Sequence, residues 1–201
     1  MKQNNKRPLV FLISGVARAG KDTFAAALME EMERNGCRVE LFKFADALKT
    51  ALGRTLEWIG VDDGKNKPME IAYTENDEIK PYVREALVSI GRLSRFCDKT
   101  VFARHLVTQV AGFIEFAPGD RRPVAVVADW RYANEYTVAR NCLDAEVVTV
   151  MIQRPGYEPA NPEEEHSLFD ITRLGLVMHS RMATDAVTLR GMAKETAKLY
   201  L

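Results

Sequence analysis

The sequence predicts an α/β fold in which a parallel five-stranded sheet lies between two layers of helices. Three observations predict it. Short uninterrupted apolar runs such as Leu9–Ser14 and Val124–Ala128 have the pattern of strands buried on both faces, as parallel sheets require. Segments with apolar residues at helical spacing separate these runs, so the crossovers are helical and right-handed. A glycine-rich turn, Gly15 to Gly20, follows the first run directly and opens the first helix.

Taken in order, residues 22–34 place Phe24, Ala25, Leu28 and Met32 on one helical face, and Gly36 provides a stop. Val39–Ala45 reads as a second strand. Asp46 then suits the cap of a helix whose inner face is Leu48, Leu52, Leu56 and Ile59, ended by Gly60. Residues 60–80 are polar and read as an exposed excursion. Pro81 suits the first turn of a helix with Val83, Leu87 and Ile90 inward. Another helix fits 100–111 through Phe102, Leu106 and Val110. Val147–Ile152 is a further buried strand, and the proline- and glutamate-rich stretch 154–165 reads as excluded from the core. Asp185–Leu189 is expected as a last short strand, with Met192, Thr196 and Leu199 marking a closing helix. The expectation is one domain over 1–201, with substrate-covering insertions near 60–112 and 154–182.

Composition narrows the function. With 201 residues, 47% of them hydrophobic, the chain can bury a full core. Its 28 basic residues equal its 28 acidic ones, which argues against nucleic acid as the partner. Lys2, Lys6 and Arg7 precede an apolar run, but that run is too short for a signal peptide and meets Gly15 without a cleavage site. No stretch approaches the ~20 apolar residues of a membrane span. Cys37, Cys97 and Cys142 lie far apart, against both a disulfide framework and a zinc site. The three histidines, His105, His166 and His179, also lack metal-ligand spacing. These features predict a soluble, cytoplasmic protein.

The segment Ser14-Gly15-Val16-Ala17-Arg18-Ala19-Gly20-Lys21-Asp22-Thr23 carries the chemistry. It reads GxxxxGK between a strand and a helix, the arrangement of a P-loop. Two glycines let the backbone curl so that successive N–H groups face inward, and the helix N-terminus adds a positive dipole end. Lys21 then reaches the β- and γ-phosphates of a nucleotide. Gly15, Ala17, Arg18, Ala19, Gly20, Lys21, Asp22 and Thr23 are therefore the expected ATP-binding residues, and the fold is expected to be the three-layer P-loop NTPase type. A hydroxyl residue normally follows the lysine to hold Mg2+; here Asp22 does, with Thr23 next. Either Asp22 holds the magnesium shell or Thr23 is displaced into that role.

A P-loop also calls for a carboxylate at the end of a neighbouring strand. Asp129 in VAVVADWR stands at that place; alternatively it caps the helix starting near Ala133. Arg131 could meet phosphate at the carboxyl ends of the strands, or pair with Glu135. Phe44 is core or a stacking surface for a base.

Four motifs in fixed order, GVARAGKDT (15–23), FADALK (44–49), VREALVSIGR (83–92) and ADWRYANE (128–135), resemble those of the bacteriophage deoxynucleoside monophosphate kinases. That family's patterns run GKD or GKS/T, FAxxLK, RxxLQxxGxxxR and DxRxxNE. The resemblance spans residues 8 to 154. It implies ATP-dependent, magnesium-dependent phosphorylation of a deoxynucleoside monophosphate. By the same resemblance Lys21 and Arg131 are catalytic candidates; Arg154 is a third from its place directly after a predicted strand and at the start of the stretch 154–165, where it could enter on closure. Phe44, Lys49, Arg84, Arg92, Asp129, Arg131 and Glu135 would bind the acceptor, and Asp22, Thr23 and Asp129 would serve the metal. Arg92 and Arg95 both lie near the face of Gly91. The chain departs from the pattern at Val88, Ser89 and Trp130. The implied partners are small-molecule nucleotides and a second copy of the chain, with neither nucleic acid nor membrane. Two other readings stay open: a nucleotide-dependent switch, and a P-loop kinase of another small acceptor of the phosphomevalonate or dephospho-coenzyme A type.

Overall fold

The computed structural model describes residues 7–61, 64–117, 121–160, 162–174, 179–182 and 184–201; Lys2 and Lys6 lie outside them. Strands β1 (Leu9–Ser14), β2 (Arg38–Phe42), β3 (Pro123–Val127), β4 (Glu146–Gln153) and β5 (His179–Met182) pair in parallel in the order β2-β3-β1-β4-β5. β1 is central, with Leu9 opposite Val124 of β3 and Glu146 of β4. All of its residues are buried, which is why its sequence runs apolar without alternation. β2, β3, β1 and β4 form the body of the sheet, and the short β5 is added at the β4 edge with His179 opposite Val150.

Among the described residues eight helices surround it: α1 (Lys21–Arg34), α2 (Phe44–Trp58), α3 (Pro68–Ala72), α4 (Lys80–Cys97), α5 (Val101–Glu115), α6 (Ala133–Cys142), α7 (Pro162–Thr172) and α8 (Ala186–Tyr200). Successive β1 side chains point to opposite faces and so address two cores. Leu9, Phe11 and Ile13 meet Phe24, Leu28 and Met32 of α1 with Leu189, Ala193 and Ala197 of α8. Val10 and Leu12 meet Phe102, Leu106 and Val110 of α5, Ala139 of α6 and Ile171 of α7. The three layers are those expected. α2, α3 and α4 share a third, smaller cluster built on Leu52, Ile71, Ala72 and Val83.

Several local expectations are corrected. The second strand stops at Phe42; Phe44 and Ala45 start α2, because the Asp129 carboxylate accepts hydrogen bonds from both their amides. Asp46 consequently lies in the first turn of that helix, whose N-cap is Lys43. Ile59, expected on its inner face, is exposed. The polar stretch 60–80 contains α3, where Pro68 begins the helix and Glu70 reaches back to the Lys67 amide at 2.7 Å. Ile71 and Ala72 of α3 are buried, so this stretch supplies core as well as surface. The 154–165 stretch likewise runs into α7, which buries Ser167 and Ile171. Asp185–Leu189 is no strand: Asp185 accepts from the Thr188 amide at 2.7 Å and caps α8. The last strand is His179–Met182 instead. α8 turns Leu189, Ala193 and Thr196 inward, while Leu199 is exposed.

The two expected covering segments divide accordingly. Within 60–112, α3 and α4 pack on α2, but α5 belongs to the helical layer on the sheet. Within 154–182, α7 lies beside the glycine turn while β5 joins the sheet. Among the described residues no helix is long and apolar enough to cross a membrane.

Candidate functional site

The site forms where the neighbouring strands β1 and β3 end. β1 leads through Ser14 into the loop 15–20, and two glycines make the loop possible. Gly15 has φ 146°, and a Cβ there would stand 2.2 Å from the Ile152 carbonyl oxygen of β4. Gly20, the N-cap of α1, has φ 99°, and its Cβ would stand 2.5 Å from Leu189 Cδ1. Arg18 is also left-handed at φ 63° and exposed, a conformation that costs a non-glycine residue about 1–3 kcal/mol. Ala19 is buried beneath the loop and its amide closes a turn onto the Val16 carbonyl at 3.2 Å.

Lys21 arches back over this loop. Its Nζ donates to the carbonyls of Gly15 and Val16, both at 2.8 Å. Burial, and then the neighbouring Arg131, pull its ammonium below the usual lysine range, while Glu164, Asp22 and Asp129 oppose the shift. On the loop's outer turn the Ala17 amide donates to Glu164 Oε1 of α7 at 3.0 Å. An anionic oxygen thus sits on a loop N–H.

β3 supplies the second wall. The Trp130 amide donates to the Ile13 carbonyl at 3.1 Å and its indole N–H to the Tyr132 carbonyl at 2.9 Å. That buried tryptophan fixes the segment between Asp129 and Tyr132. Asp129 caps α2 rather than the helix at Ala133, through the Phe44 amide at 2.8 Å and the Ala45 amide at 3.0 Å. Its burial raises its pKa against these bonds. Glu135 performs the cap at α6: its Oε2 accepts from the amides of Arg131 at 2.9 Å and Tyr132 at 3.0 Å. Burial pushes the Glu135 carboxyl up to about 7. Arg131 thus meets Glu135 through its backbone amide, alongside that of Tyr132.

A small recess lined by Gly15, Lys21, Asp129, Arg131 and Glu164 adjoins a cavity of about 450 Å³. Of the expected acceptor residues, Phe44, Lys49, Arg84, Asp129, Arg131 and Glu135 line that cavity. Lys49 is held with its Nζ 4.9 Å from the Tyr73 ring centre. Arg92 does not line it; Arg95, one turn on, does. The Arg95 guanidinium lies between two rings, 4.3 Å from Tyr132 and 5.0 Å from Phe102. A Cβ on Gly91 would come within 3.3 Å of Arg95 Nη1, so the glycine makes room for it. Arg154 also lies outside the cavity lining, with its guanidinium 4.6 Å from the Tyr157 ring centre.

Glu164, Ser167 and Lys80 line the cavity and were not expected there. The RxxLQxxGxxxR spacing, with three residues after the glycine, falls on Arg95 and would have selected it over Arg92. Glu164 carried no comparable signal, being one of three consecutive glutamates in a stretch read as surface.

The residues present fit a magnesium ion that arrives with nucleotide phosphates and keeps most of its water. Such an ion needs only one or two protein oxygens. Asp22 and Thr23 are exposed at the start of α1, with Asp22 Oδ1 3.5 Å from Lys43 Nζ. Asp129 already spends an acceptor position of each oxygen on α2, which suits it to a water shell better than to direct ligation. Among the described residues no cluster of three or more histidine, cysteine or acidic side chains could hold a metal alone.

No protein-family model and no curated protein matches the chain. Solved structures of similar shape include a sugar kinase from Janibacter sp. HTCC2649, at 13% identity and TM-score 0.48, covering 97% of this chain and 94% of that one. The Mycobacterium tuberculosis APS kinase CysC Cys556Ala mutant aligns at 13% identity and TM-score 0.45, covering 96% of this chain and 97% of that one. A gluconokinase from Sinorhizobium meliloti 1021 aligns at 13% identity and TM-score 0.44, covering 98% and 95%. Likeness at this level carries no argument about substrate; the parallel sheet and its helices stand on the chain's own strand pairing.

Proposed function

We propose that the chain transfers the terminal phosphoryl group of ATP to a deoxynucleoside monophosphate. One observation carries the reading: a glycine loop with Lys21 folded over it opens beside an arginine-bearing cavity of about 450 Å³. Phosphoryl transfer asks the protein mainly for positioning and for positive donors around developing charge. In this reading the loop amides and Lys21 hold the donor phosphates. Arg84, Arg95 and Arg131 face the acceptor phosphate, and Phe44, Leu48, Val83 and Leu87 offer an apolar wall to its base. Planar guanidinium forks suit a phosphate because each can donate two parallel hydrogen bonds. Arg95 is oriented in advance by its two rings.

When bound, magnesium supplies charge neutralisation of the phosphates, and Asp22 or Thr23 would hold its shell. Asp22→Ala should raise the magnesium concentration for half-maximal rate more than Thr23→Ala does; the reverse order gives that task to the Thr23 hydroxyl. The deciding experiment couples ADP release to each deoxynucleoside monophosphate in turn, with ATP and magnesium. Absence of product from all of them sinks the reading. Acceptor-independent hydrolysis alone would point to a nucleotide-driven switch, and response only to an unrelated phosphorylated acceptor would point to another small-molecule kinase.

A further inference from the structure

The Glu164 carboxylate bridges two backbone amides. Its Oε1 accepts from Ala17 in the glycine loop at 3.0 Å, and its Oε2 accepts from Ala160 at 2.7 Å. The first turn of α7 is braced behind it, where Ser167 Oγ donates to the Glu164 carbonyl at 2.9 Å. We infer that Glu164 stands where a nucleotide phosphate oxygen binds, so that nucleotide entry requires α7 to withdraw. The inference rests on the donor role of the loop proposed above.

The chemistry is direct competition. A carboxylate oxygen and a phosphate oxygen are both anionic acceptors, and the Ala17 amide has a single hydrogen to give. They also repel each other, and the Glu164 charge reaches Lys21, the cation that would attend the phosphates. Among its described residues α7 sets few side chains into the core: Ile171 is fully buried, Ser167 is buried beside it, and Leu168 packs partly buried against the same cluster. An element anchored so sparingly moves at low cost compared with a sheet strand.

The same carboxylate lines both the recess beside Lys21 and the larger cavity, and Ser167 lines both as well. Withdrawing α7 to admit donor phosphates therefore reshapes one wall of the acceptor cavity. Donor and acceptor binding are coupled through a single helix, and Glu164 is a positioning residue that sets how much of the protein is competent to bind donor.

The test is calorimetric titration of magnesium-ATP, and separately of inorganic tripolyphosphate, into the full chain, Glu164→Gln and Glu164→Ala. Gln keeps an acceptor oxygen but loses the charge, and Ala loses both. Binding should tighten from wild type through Gln to Ala, by about tenfold at the end of the series, because the competent fraction rises. Tripolyphosphate should follow the same order, since the competition is for phosphate oxygens. Hydrogen exchange across 162–172 should quicken when wild type binds ATP. Wild-type binding with equal or weaker binding in both variants would overturn the inference, leaving Glu164 as a brace for α7 and the proposed activity intact. No binding of either ligand to any of the three proteins would remove the donor reading itself, and the inference with it. Thermal melts of the two variants verify that each is folded.

Discussion

Around the glycine loop, Leu9 to Ile13, Phe24, Leu28 and Met32 expose no surface. Across the cavity, α2, α3 and α4 share a smaller cluster, Leu52, Ile71, Ala72 and Val83, with partly buried residues such as Leu56, Leu87 and Ile90 packed against it. There Tyr82, Leu93 and Phe96 of α4 stand in solvent, Phe96 being 89% exposed. The first region is fixed by backbone sterics and a packed core; the second is a thin helical layer whose cavity surface mixes apolar side chains, Phe44, Leu48, Val83 and Leu87, with the long polar ones of Lys49, Lys80, Arg84 and Arg95. The contrast matches the two tasks proposed for them. A phosphate cradle needs amides already in place, because donors that do not have to reorganise contribute most. An acceptor wall can be adjusted by side chains and by movement of whole helices.

The largest expected effect tests the packing half of this contrast. Leu28→Ala in the packed core should cost about 4–5 kcal/mol, whereas Leu52→Ala in the thin layer, where the surrounding helices can close in, should cost only about 2–3 kcal/mol. Urea unfolding read by fluorescence is well placed for this, since Trp130 reports the core and Trp58, 87% exposed, reports α2. Equal losses at the two sites would break the comparison. Next comes Lys21→Ala, which should lower turnover roughly 10²-fold or more while the melting temperature holds, because it removes a preorganised charge. Near-normal turnover in a folded variant would take the loop out of the chemistry.

Smaller effects sharpen the acceptor side. Arg84→Lys, Arg95→Lys and Arg131→Lys should each lower kcat/KM for the monophosphate by about ten- to a hundredfold, the worth of a charge-assisted bond. ATP affinity measured without acceptor should stay the same. Arg92→Lys is the discriminating control: an effect equal to that of Arg95→Lys would return Arg92 to the acceptor wall.

The smallest effect concerns pH. Glu135 titrates at about 7 in the folded chain, above its ordinary value of 4.5, because burial disfavours its charge. Between those values the unfolded chain has released a proton that the folded chain keeps, so stability falls as pH rises from about 4.5 to about 7. Asp129, also raised by burial, contributes with the same sign. Glu135→Gln should flatten part of this fall in urea midpoints measured at pH 5 and pH 7.5. An unchanged slope would mean that Glu135 is charged in the folded protein throughout.

Much of this was legible in the sequence where local rules and tertiary structure agree. The runs LVFLIS and VAVVA read as buried strands, and β1 and β3 lie there to within a residue; the glycines at 15 and 20 stand where positive φ and close approach leave room for no side chain. Legibility failed where one segment answers to a distant one. Phe44 and Ala45 look like the end of a strand until Asp129, more than eighty residues away, caps them as a helix. Asp185–Leu189 is a different case: its residues are strand-like, but the cap that Asp185 gives the Thr188 amide is local and was legible in the sequence. Arg92 and Arg95 differ by less than one helical turn; the motif spacing already favours Arg95, and the structure adds the rings of Tyr132 and Phe102 beside its guanidinium.

The sequence by itself determined the first buried strand, the glycine loop after it and the alternation of strand and helix, because each depends on residues adjacent in the chain. Tertiary structure alone decided which arginines share a cavity, that Asp129 anchors α2, and that Glu164 rests on the Ala17 amide. The reason is physical. Periodicity and glycine conformation are properties of a few consecutive residues, whereas a carboxylate finds its amide partner only after the crossovers have brought residues 17 and 164 together.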